Sequence, residues 1–271
     1  MKDRALYSRI DAKEIVVGEG VVIEDGATIS GPDGPAERVV LGDHVFIGAH
    51  SKIRVPVFDV GDYTQIHNHA LCNGYQPLTI GYNGWFGQNT ILNATDRLEI
   101  GNNCGVGAYS QLWTHIAYGD TLQGCRWHST KPMIIGTDVW FVGHCIVSPI
   151  IAKDRSMALV GSVVTRDMDE NRVYAGSPAK DITDRVGPQF ADVTVEARVE
   201  AMRALRDQFL QRNPDDRPEL LGIAADGEVI IPGETVFDVV RRTYSKRRSA
   251  EEARFIKFLL PGAKFVPAGE P

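Results

Sequence analysis

The sequence predicts an all-β fold, a parallel β-helix built of three-sided coils, followed by a small C-terminal α+β appendage. Three observations predict it: an internal repeat, the spacing of apolar residues within the repeat, and a change of pattern near Thr194. A coil of such a helix cannot bury its apolar interior alone, so coils must stack on one another. We expect one domain over residues 1–187 and a second over residues 188–271.

The repeat is an apolar residue followed by glycine and a polar pair. Its first four copies begin nineteen or twenty residues apart, and a fifth follows later. The copies begin at Leu41, Val60, Ile80, Ile100 and Ile135. A fixed period of this length is typical of a stacked solenoid.

Two more apolar positions follow each copy at intervals of six residues. The first set is Ile47, Ile66, Phe86, Val106 and Phe141, and the second is Ile53, Cys72, Leu92, Leu112 and Val147. Three hexads predict a coil with three flat faces, each a short strand with one large side chain pointing inward. The corners need residues that are small or tolerate a left-handed backbone. A helix would space apolar residues by three or four and a sandwich strand by two, and neither pattern is present.

Composition excludes several classes of protein. A formal net charge of -6 and a pI near 5.7 argue against a general nucleic-acid binder, since a phosphate backbone attracts clustered cations. We expect no membrane span and a cytoplasmic location, because no stretch approaches about 18 consecutive apolar residues and the N-terminal segment lacks an apolar signal core. The four cysteines lie far apart with no CxxC pair, which favours buried thiols over disulfides or zinc ligands.

The repeat is interrupted by a loop excursion over residues 114–133. A solenoid has no need to leave its stack there, so we expect the loop to serve a function. His115 stands at the corner where the excursion begins, three residues after the inward Leu112. Because an imidazole can accept a proton near neutral pH, His115 is the candidate general base.

Three blocks, in this order, resemble the hexapeptide-repeat acyltransferases, particularly the branch of xenobiotic, maltose and galactoside acetyltransferases. They are residues 131–140 (KPMIIGTDVW), 161–167 (GSVVTRD) and 175–180 (AGSPAK), within a resemblance over roughly residues 13–186. The resemblance implies left-handed winding, a homotrimer, and acetyl-CoA as co-substrate without a metal. It implies acetyl transfer to a hydroxyl or amine of a sugar, sugar nucleotide or glycan by direct attack. Residues 148–160 lack the family's glycines, which leaves the register of that coil open.

The resemblance also implies roles for individual residues. The family's catalytic histidine lies just before the 131–140 block, at the place of His115. Independently of the resemblance, polar and aromatic side chains near the candidate base are expected to contact the acceptor: Asn89, Asn93, Trp113 and His128. Trp113 could instead pack between subunits, and His128 could be an exposed loop residue. Asn93 stands where maltose-type enzymes usually carry Asp. Residues expected to bind acetyl-CoA are Trp140, Gly143, Ser162, Thr165, Arg166 and Lys180, of which the two cations suit phosphates.

The sequence is also compatible with two other functions. The γ-class carbonic anhydrases share the helix and hold zinc with three histidines, for which His67, His69 and His115 are the candidates. The second alternative is a catalytically silent scaffold whose loop and appendage bind a partner.

In the appendage, the spacing of apolar residues predicts a helix beginning at Thr194, strands over 228–231 and 235–244, and a helix capped by Ser249 and Glu252. A cluster of cations begins near the end of the last predicted strand and continues to that helix: Arg241, Arg242, Lys246, Arg247 and Arg248. They could meet an anionic acceptor such as a nucleotide-linked sugar, contact an acidic neighbour, or form a solvated charge run.

Overall fold

The computed structural model describes residues 6–225 and 233–268, and the chain divides into two compact units, Met1–Phe190 and Ala191–Pro271. In the first unit, strands that follow one another along the chain enter three different sheets in turn. Within a sheet, strands from successive coils pair in parallel. The first unit is therefore a parallel β-helix, as predicted. Its left-handed winding stays a prediction.

The first sheet stacks seven strands within the described residues. They are β1 (Ala12–Val17), β4 (Ala36–Leu41), β7 (Val57–Val60), β10 (Leu78–Ile80), β13 (Leu98–Ile100), β18 (Met133–Ile135) and β21 (Ile151–Ala152).

The second sheet stacks nine strands in the same part of the chain, with the last one antiparallel to its neighbour. They are β2 (Val22–Ile23), β5 (Phe46–Ile47), β8 (Gln65–Ile66), β11 (Trp85–Phe86), β14 (Gly105–Val106), β19 (Trp140–Phe141), β22 (Met157–Ala158), β24 (Val173–Gly176) and β25 (Ala179–Asp181). A short helix, α1 (Thr183–Val186), follows β25.

The third sheet again stacks seven of the described strands. They are β3 (Thr28–Ser30), β6 (Lys52–Arg54), β9 (Leu71–Gly74), β12 (Ile91–Ala94), β15 (Gln111–Leu112), β20 (Ile146–Val147) and β23 (Val163–Val164). Between β15 and β18 the chain leaves the stack as an antiparallel hairpin of β16 (His115–Ala117) and β17 (His128–Thr130), with a 3-10 turn at Thr121–Gln123.

The apolar sets predicted from the hexads occupy matching inward positions in successive coils. In the third sheet, for example, Cys72, Leu92, Leu112 and Val147 pair in register and are fully buried. Burying one such large aliphatic side chain contributes about 1.5–3 kcal/mol. The stacked coils therefore share one continuous apolar core.

The register of residues 148–160, which the sequence left open, keeps the spacing of six. Ala152, Ala158 and Val164 take the three inward positions and are buried. The pattern of large apolar residues fades there because alanine fills two of the three positions.

The corner between the second and third sheets is lined by residues with a left-handed backbone. His50, His69, Asn89, Tyr109 and His144 follow one another there, with φ between 51° and 62°. The rings of Tyr109 and His144 stack with their centroids 5.0 Å apart. The third sheet meets the first at a different corner, and this is where the excursion begins.

The second unit contains two helices and a four-stranded sheet among its described residues. Their bounds are α2 (Val195–Arg212), a 3-10 turn at Pro218–Leu220, β26 (Leu221–Ala224), β27 (Thr235–Asp238), β28 (Thr243–Tyr244), α3 (Ala250–Leu259) and β29 (Val266–Pro267). The side chains of Thr194 and Ser249 cap the two helices. The strand predicted over 235–244 is interrupted by a turn, and the one predicted over 228–231 lies outside the described residues.

Over residues 6–225 and 233–268, no helix is both long enough and apolar enough to cross a membrane. All four cysteines are free thiols. Cys72, Cys104 and Cys145 are buried as predicted, but Cys125 lies on the excursion and is half-buried, so the prediction was wrong for that residue.

Candidate active site

His115 is the first residue of β16, where the chain leaves the third sheet. It follows the buried Thr114 and pairs with Thr130 across the hairpin. The excursion predicted from the sequence is this hairpin, and its base is anchored to the coil because Lys131 N–H donates to Thr114 O at 3.0 Å. The imidazole is half-buried at the edge of the helix.

The ring of His115 is held by Asn93 from the preceding coil. Asn93 Oδ1 lies 2.9 Å from His115 Nδ1, and it also accepts from the Thr95 backbone N–H at 3.2 Å. The Thr114 hydroxyl lies 3.0 Å from the same oxygen. Because an amide oxygen only accepts, His115 Nδ1 donates in this contact, and in the neutral ring the lone pair then lies on Nε2. This is the tautomer that a general base requires.

Asn93, one of the predicted acceptor contacts, is buried beside His115. Its side chain is 2 % exposed, and its amide nitrogen faces Asn73 O at 3.4 Å. The side chain of Asn93 therefore faces His115, and its predicted contact with the acceptor stays a prediction. Sequence reasoning also missed Thr114, whose hydroxyl accepts from Asp96 N–H at 3.0 Å. A threonine next to a candidate base was the signal that could have found it.

Asn89, the other predicted acceptor contact, lies at the corner between the second and third sheets. His115 lies at the corner that leads from the third sheet to the first. The structure therefore does not bring these two residues together within one chain.

Trp113 and His128 do lie near His115. The Trp113 indole N–H donates to Gln111 Oε1 at 3.1 Å, and its ring meets that of His115 edge-on with centroids 5.9 Å apart. His128 pairs with Ala117 on the hairpin, two residues from the partner of His115. Directly opposed residues of an antiparallel pair point to the same side, so His115 and His128 share one face of the hairpin.

The residues expected to bind acetyl-CoA divide between two edges of the helix. Thr165 and Arg166 are exposed and follow β23, two coils beyond Trp113 at the same edge. Two coil spacings correspond to about 10 Å. Trp140, 42 % exposed, lies on the outer face of the second sheet, and Gly143 lies near its corner with the third.

The chain is 37 % identical to the galactoside O-acetyltransferase of Escherichia coli (strain K12) over 159 residues, which cover 56 % of this chain and 72 % of that protein. The chain belongs to the hexapeptide-repeat acetyltransferase family. A probable macrolide acetyltransferase of Lysinibacillus sphaericus is 27 % identical over 121 residues, covering 37 % of this acetyltransferase and 65 % of the relative. No protein-family model matches the chain.

Two solved structures are also similar to this acetyltransferase. A maltose O-acetyltransferase from Clostridium difficile 630 has a TM-score of 0.33 and 19 % identity, covering 67 % of this chain and 73 % of that one. The D94A mutant of AntD, an N-acyltransferase from Bacillus cereus in complex with dTDP and coenzyme A, has a TM-score of 0.47 and 17 % identity, covering 78 % and 97 %.

Ser162, one of the predicted donor-binding residues, lies inside its coil, and its role in binding the donor stays a prediction. Its side chain is fully buried, and its hydroxyl donates to Leu159 O at 2.6 Å. Lys180 is exposed on β25, next to the antiparallel turn that ends the second sheet. Of these two residues of the acetyltransferase, Lys180 alone presents a side chain to solvent.

The three histidines of the zinc hypothesis lie at different corners of the acetyltransferase. His67 and His69 lie between the second and third sheets, whereas His115 lies between the third and the first. In the part of the chain that the structure describes, no three His, Cys, Asp or Glu side chains are grouped so that they could hold a metal.

Proposed function

We propose that this protein transfers an acetyl group from acetyl-CoA to a hydroxyl or amine of a sugar, sugar nucleotide or glycan, with His115 as the general base. Family membership and the name of its galactoside-acetylating relative support the reaction class. The observation that carries the proposal is the 2.9 Å contact between Asn93 Oδ1 and His115 Nδ1. It leaves a proton-accepting nitrogen at the point where the chain departs from the coil.

In the proposed step, His115 Nε2 takes the proton from the acceptor hydroxyl while the oxygen attacks the thioester carbonyl carbon. The carbon–sulfur bond breaks, and the proton returns from Nε2 to the leaving thiolate of coenzyme A. Asn93 holds Nδ1–H throughout, so the ring keeps one orientation in both half-steps. No covalent intermediate on the protein is needed.

Trp113 and His128 are the proposed acceptor contacts. An indole fixed by its hydrogen bond to Gln111 offers an apolar platform beside the base, which suits the flat face of a sugar ring. His128, exposed on the same hairpin face as His115, can hydrogen-bond a second hydroxyl of the acceptor.

For the donor, we propose that Arg166 and Lys180 hold phosphates of acetyl-CoA and that Thr165 contacts its pantetheine arm. Trp140 and Gly143, at the other edge, can join the same site only if a second subunit supplies them. This separation supports the proposed homotrimer, in which the base of one subunit faces the donor groove of the next. Large exposed apolar side chains on the two outer faces and the hairpin also favour association, namely Trp85, Trp140, Ile146, Tyr118, Leu122 and Trp127.

The direct test compares the wild type with His115→Ala in an assay that supplies labelled acetyl-CoA to a panel of galactosides, glycans and nucleotide sugars. Removing a general base should lower kcat by roughly 10² to 10⁴. Coenzyme A binding, measured by calorimetry, should stay unchanged because His115 is not a proposed donor contact. A variant that keeps a third or more of the wild-type kcat would show that His115 is not the base.

The scaffold alternative makes a different prediction in the same calorimetry. A silent scaffold would not bind coenzyme A, and its acetyl transfer to every member of the panel would equal the rate without protein. Either result with the wild type would withdraw the proposed activity.

A further inference from the structure

Thr114 lies where its own coil, the preceding coil and the excursion meet. It is fully buried and directly precedes His115. Its backbone oxygen accepts from Lys131 N–H at 3.0 Å, at the point where the excursion returns to the coil. Its hydroxyl contacts the preceding coil, at Asn93 and Asp96. The same residue therefore connects the candidate base to the excursion and to the coil that supplies Asn93.

The Thr114 hydroxyl both accepts and donates. It accepts from Asp96 N–H at 3.0 Å. Its single hydrogen faces two oxygens of Asn93, the backbone oxygen and Oδ1, and each lies 3.0 Å from Thr114 Oγ1. A hydroxyl that accepts one hydrogen bond becomes a stronger donor in the next. These contacts therefore hold the main chain and the side chain of Asn93 together.

The orientation of the Asn93 amide determines what His115 can do. The two ends of an amide have nearly the same shape, but the oxygen accepts and the NH2 group donates. With the oxygen against His115 Nδ1, the lone pair of the neutral ring lies on Nε2. With the NH2 group there, Nδ1 would have to accept, and the hydrogen would lie on Nε2. In that tautomer Nε2 cannot take a proton from an acceptor.

Donors converge on the oxygen end of the Asn93 amide. Thr95 N–H, which can only donate, lies 3.2 Å from Asn93 Oδ1, and the Thr114 hydroxyl lies nearer, at 3.0 Å. The nitrogen end faces Asn73 O in a longer contact of 3.4 Å. The amide orientation that suits a general base is therefore stabilised mainly at the oxygen end, to which Thr114 contributes directly.

We propose that Thr114 is a positioning residue for the acetyl transfer proposed above. Its hydroxyl, held by Asp96 N–H, keeps Asn93 Oδ1 against His115 Nδ1 and so keeps the proton-accepting lone pair on Nε2. The inference rests on the proposed role of His115 as the base. The tautomer that it predicts is nevertheless a property of the protein without any substrate.

Nitrogen NMR of the full chain, labelled with ¹⁵N in its histidine rings, tests this inference. Ring nitrogens with and without a hydrogen differ in chemical shift, so the spectrum at about pH 8.5, where an ordinary histidine is neutral, gives the tautomer. The signals of His115 are those that His115→Ala lacks. We expect the hydrogen on Nδ1 in the wild type and in Thr114→Ser. Thr114→Val, which removes the hydroxyl but keeps the shape of the side chain, should show a mixture of both tautomers.

Thr64→Val is the matched control. The Thr64 hydroxyl is also fully buried, and it accepts from Gly84 N–H and donates to Gly81 O, both at 2.9 Å and one coil away. It lies between the first and second sheets, whereas His115 lies between the third and the first. Removing this hydroxyl should leave the His115 signals unchanged.

Urea unfolding of Thr114→Val and Thr64→Val shows whether both stay folded. Loss of the Thr114 hydroxyl leaves the buried Asp96 N–H without this acceptor, which destabilises the fold. If Thr114→Val does not fold, Thr114→Ser and Thr114→Ala make the same comparison, because both lack the methyl group and only serine carries the hydroxyl.

Acetyl transfer gives a second measurement. Thr114→Val should lower kcat about tenfold with little change in KM, because outer contacts of this kind are worth factors of about 10 to 100. Thr114→Ser should recover most of this loss. The proposal is overturned if Thr114→Val keeps the hydrogen on Nδ1 as the wild type does, if Thr64→Val changes the tautomer equally, or if the wild type carries the hydrogen on Nε2. An assay that finds no acceptor counts against the proposed function, while the NMR result still decides whether Thr114 sets the tautomer.

Discussion

Asn93 Oδ1 lies 2.9 Å from His115 Nδ1, although 22 residues separate the two in the sequence. The β-helix creates this contact because Leu92 and Leu112 pair in register on successive coils. The residue after Leu92 then lies beside the corner that His115 occupies. One coil thus supplies the candidate base, and the coil before it supplies the group that sets its tautomer.

Asn93→Ala should lower kcat by about 10- to 100-fold with little change in KM. The loss is expected because the imidazole is no longer held with Nε2 as its basic nitrogen, and outer contacts of this kind are worth factors of that size. Steady-state kinetics with the acceptor found in the panel measures both parameters.

The matched control for that variant is Asn73→Ala. Asn73 occupies the equivalent position one coil earlier, and its backbone oxygen, not its side chain, faces Asn93. The control should keep kcat within about twofold. In Asn93→Asp, the carboxylate favours the protonated ring, so the rise of kcat with pH should move to higher pH. An unchanged pH profile would mean that residue 93 does not act through His115.

Arg166→Ala should raise the Kd for coenzyme A about tenfold, because a charge-assisted contact to phosphate is worth about 1.5–3 kcal/mol. Ser162→Ala should leave this Kd nearly unchanged, because the Ser162 hydroxyl is buried and donates to Leu159 O. Calorimetry at a temperature where both variants are folded compares them. A larger effect at Ser162 than at Arg166 would contradict the donor edge proposed above.

Protonation of His67 should lower the unfolding free energy of the protein in mild acid. Its ring packs between Phe46 and Trp85, and burial lowers the pKa of His67. The unfolded chain, in which histidine titrates near about 6.5, therefore binds more protons than the folded chain below that pH. The contribution of His67 to the stability of the protein is therefore fully present above about pH 6.5. It is lost as the pH falls through the lowered pKa that His67 has in the folded protein.

Chemical unfolding between pH 7.5 and 5 measures this contribution. In His67→Gln the loss of unfolding free energy over this pH range should be smaller than in the wild type. The control His128→Gln changes an exposed histidine and should follow the wild-type curve. Parallel curves for wild type and His67→Gln would assign the acid sensitivity to other groups.

Cys125 should be the one thiol that reacts rapidly in the native protein. Burial raises the pKa of Cys72 and of Cys104 to about 12, and Cys145 is fully buried, whereas Cys125 is partly exposed on the excursion. Alkylation at pH 8, followed by mass spectrometry, should label Cys125 alone until denaturant is added. Cys125→Ser should then show no fast labelling, and rapid labelling of Cys72 would mean that the core opens readily.

The sequence predicted the β-helix because its signal is local and repeated. Leu41, Ile47 and Ile53 define one coil at intervals of six residues, and the later coils show the same spacing. The predicted fold therefore does not depend on one ambiguous stretch such as 148–160. His115 was predicted for a related reason, since an interruption of a regular repeat can be seen along the chain. The parallel sheets and the inward ladders confirm the periodic part of this interpretation.

Tertiary structure alone decided how the candidate site is arranged. The six-residue period predicts where a residue lies in its coil. It does not predict which polar residues come close to one another in the folded protein, or where their side chains point. Asn89 and Asn93 look alike in sequence, yet one lies at a different corner from His115 and the other supports its ring. Ser162 likewise turns its hydroxyl to a carbonyl of its own turn. The apolar residues that become buried recur at regular intervals along the chain, so they can be recognised in the sequence. The hydrogen bonds of the site join groups on neighbouring coils, which come together only in the folded structure.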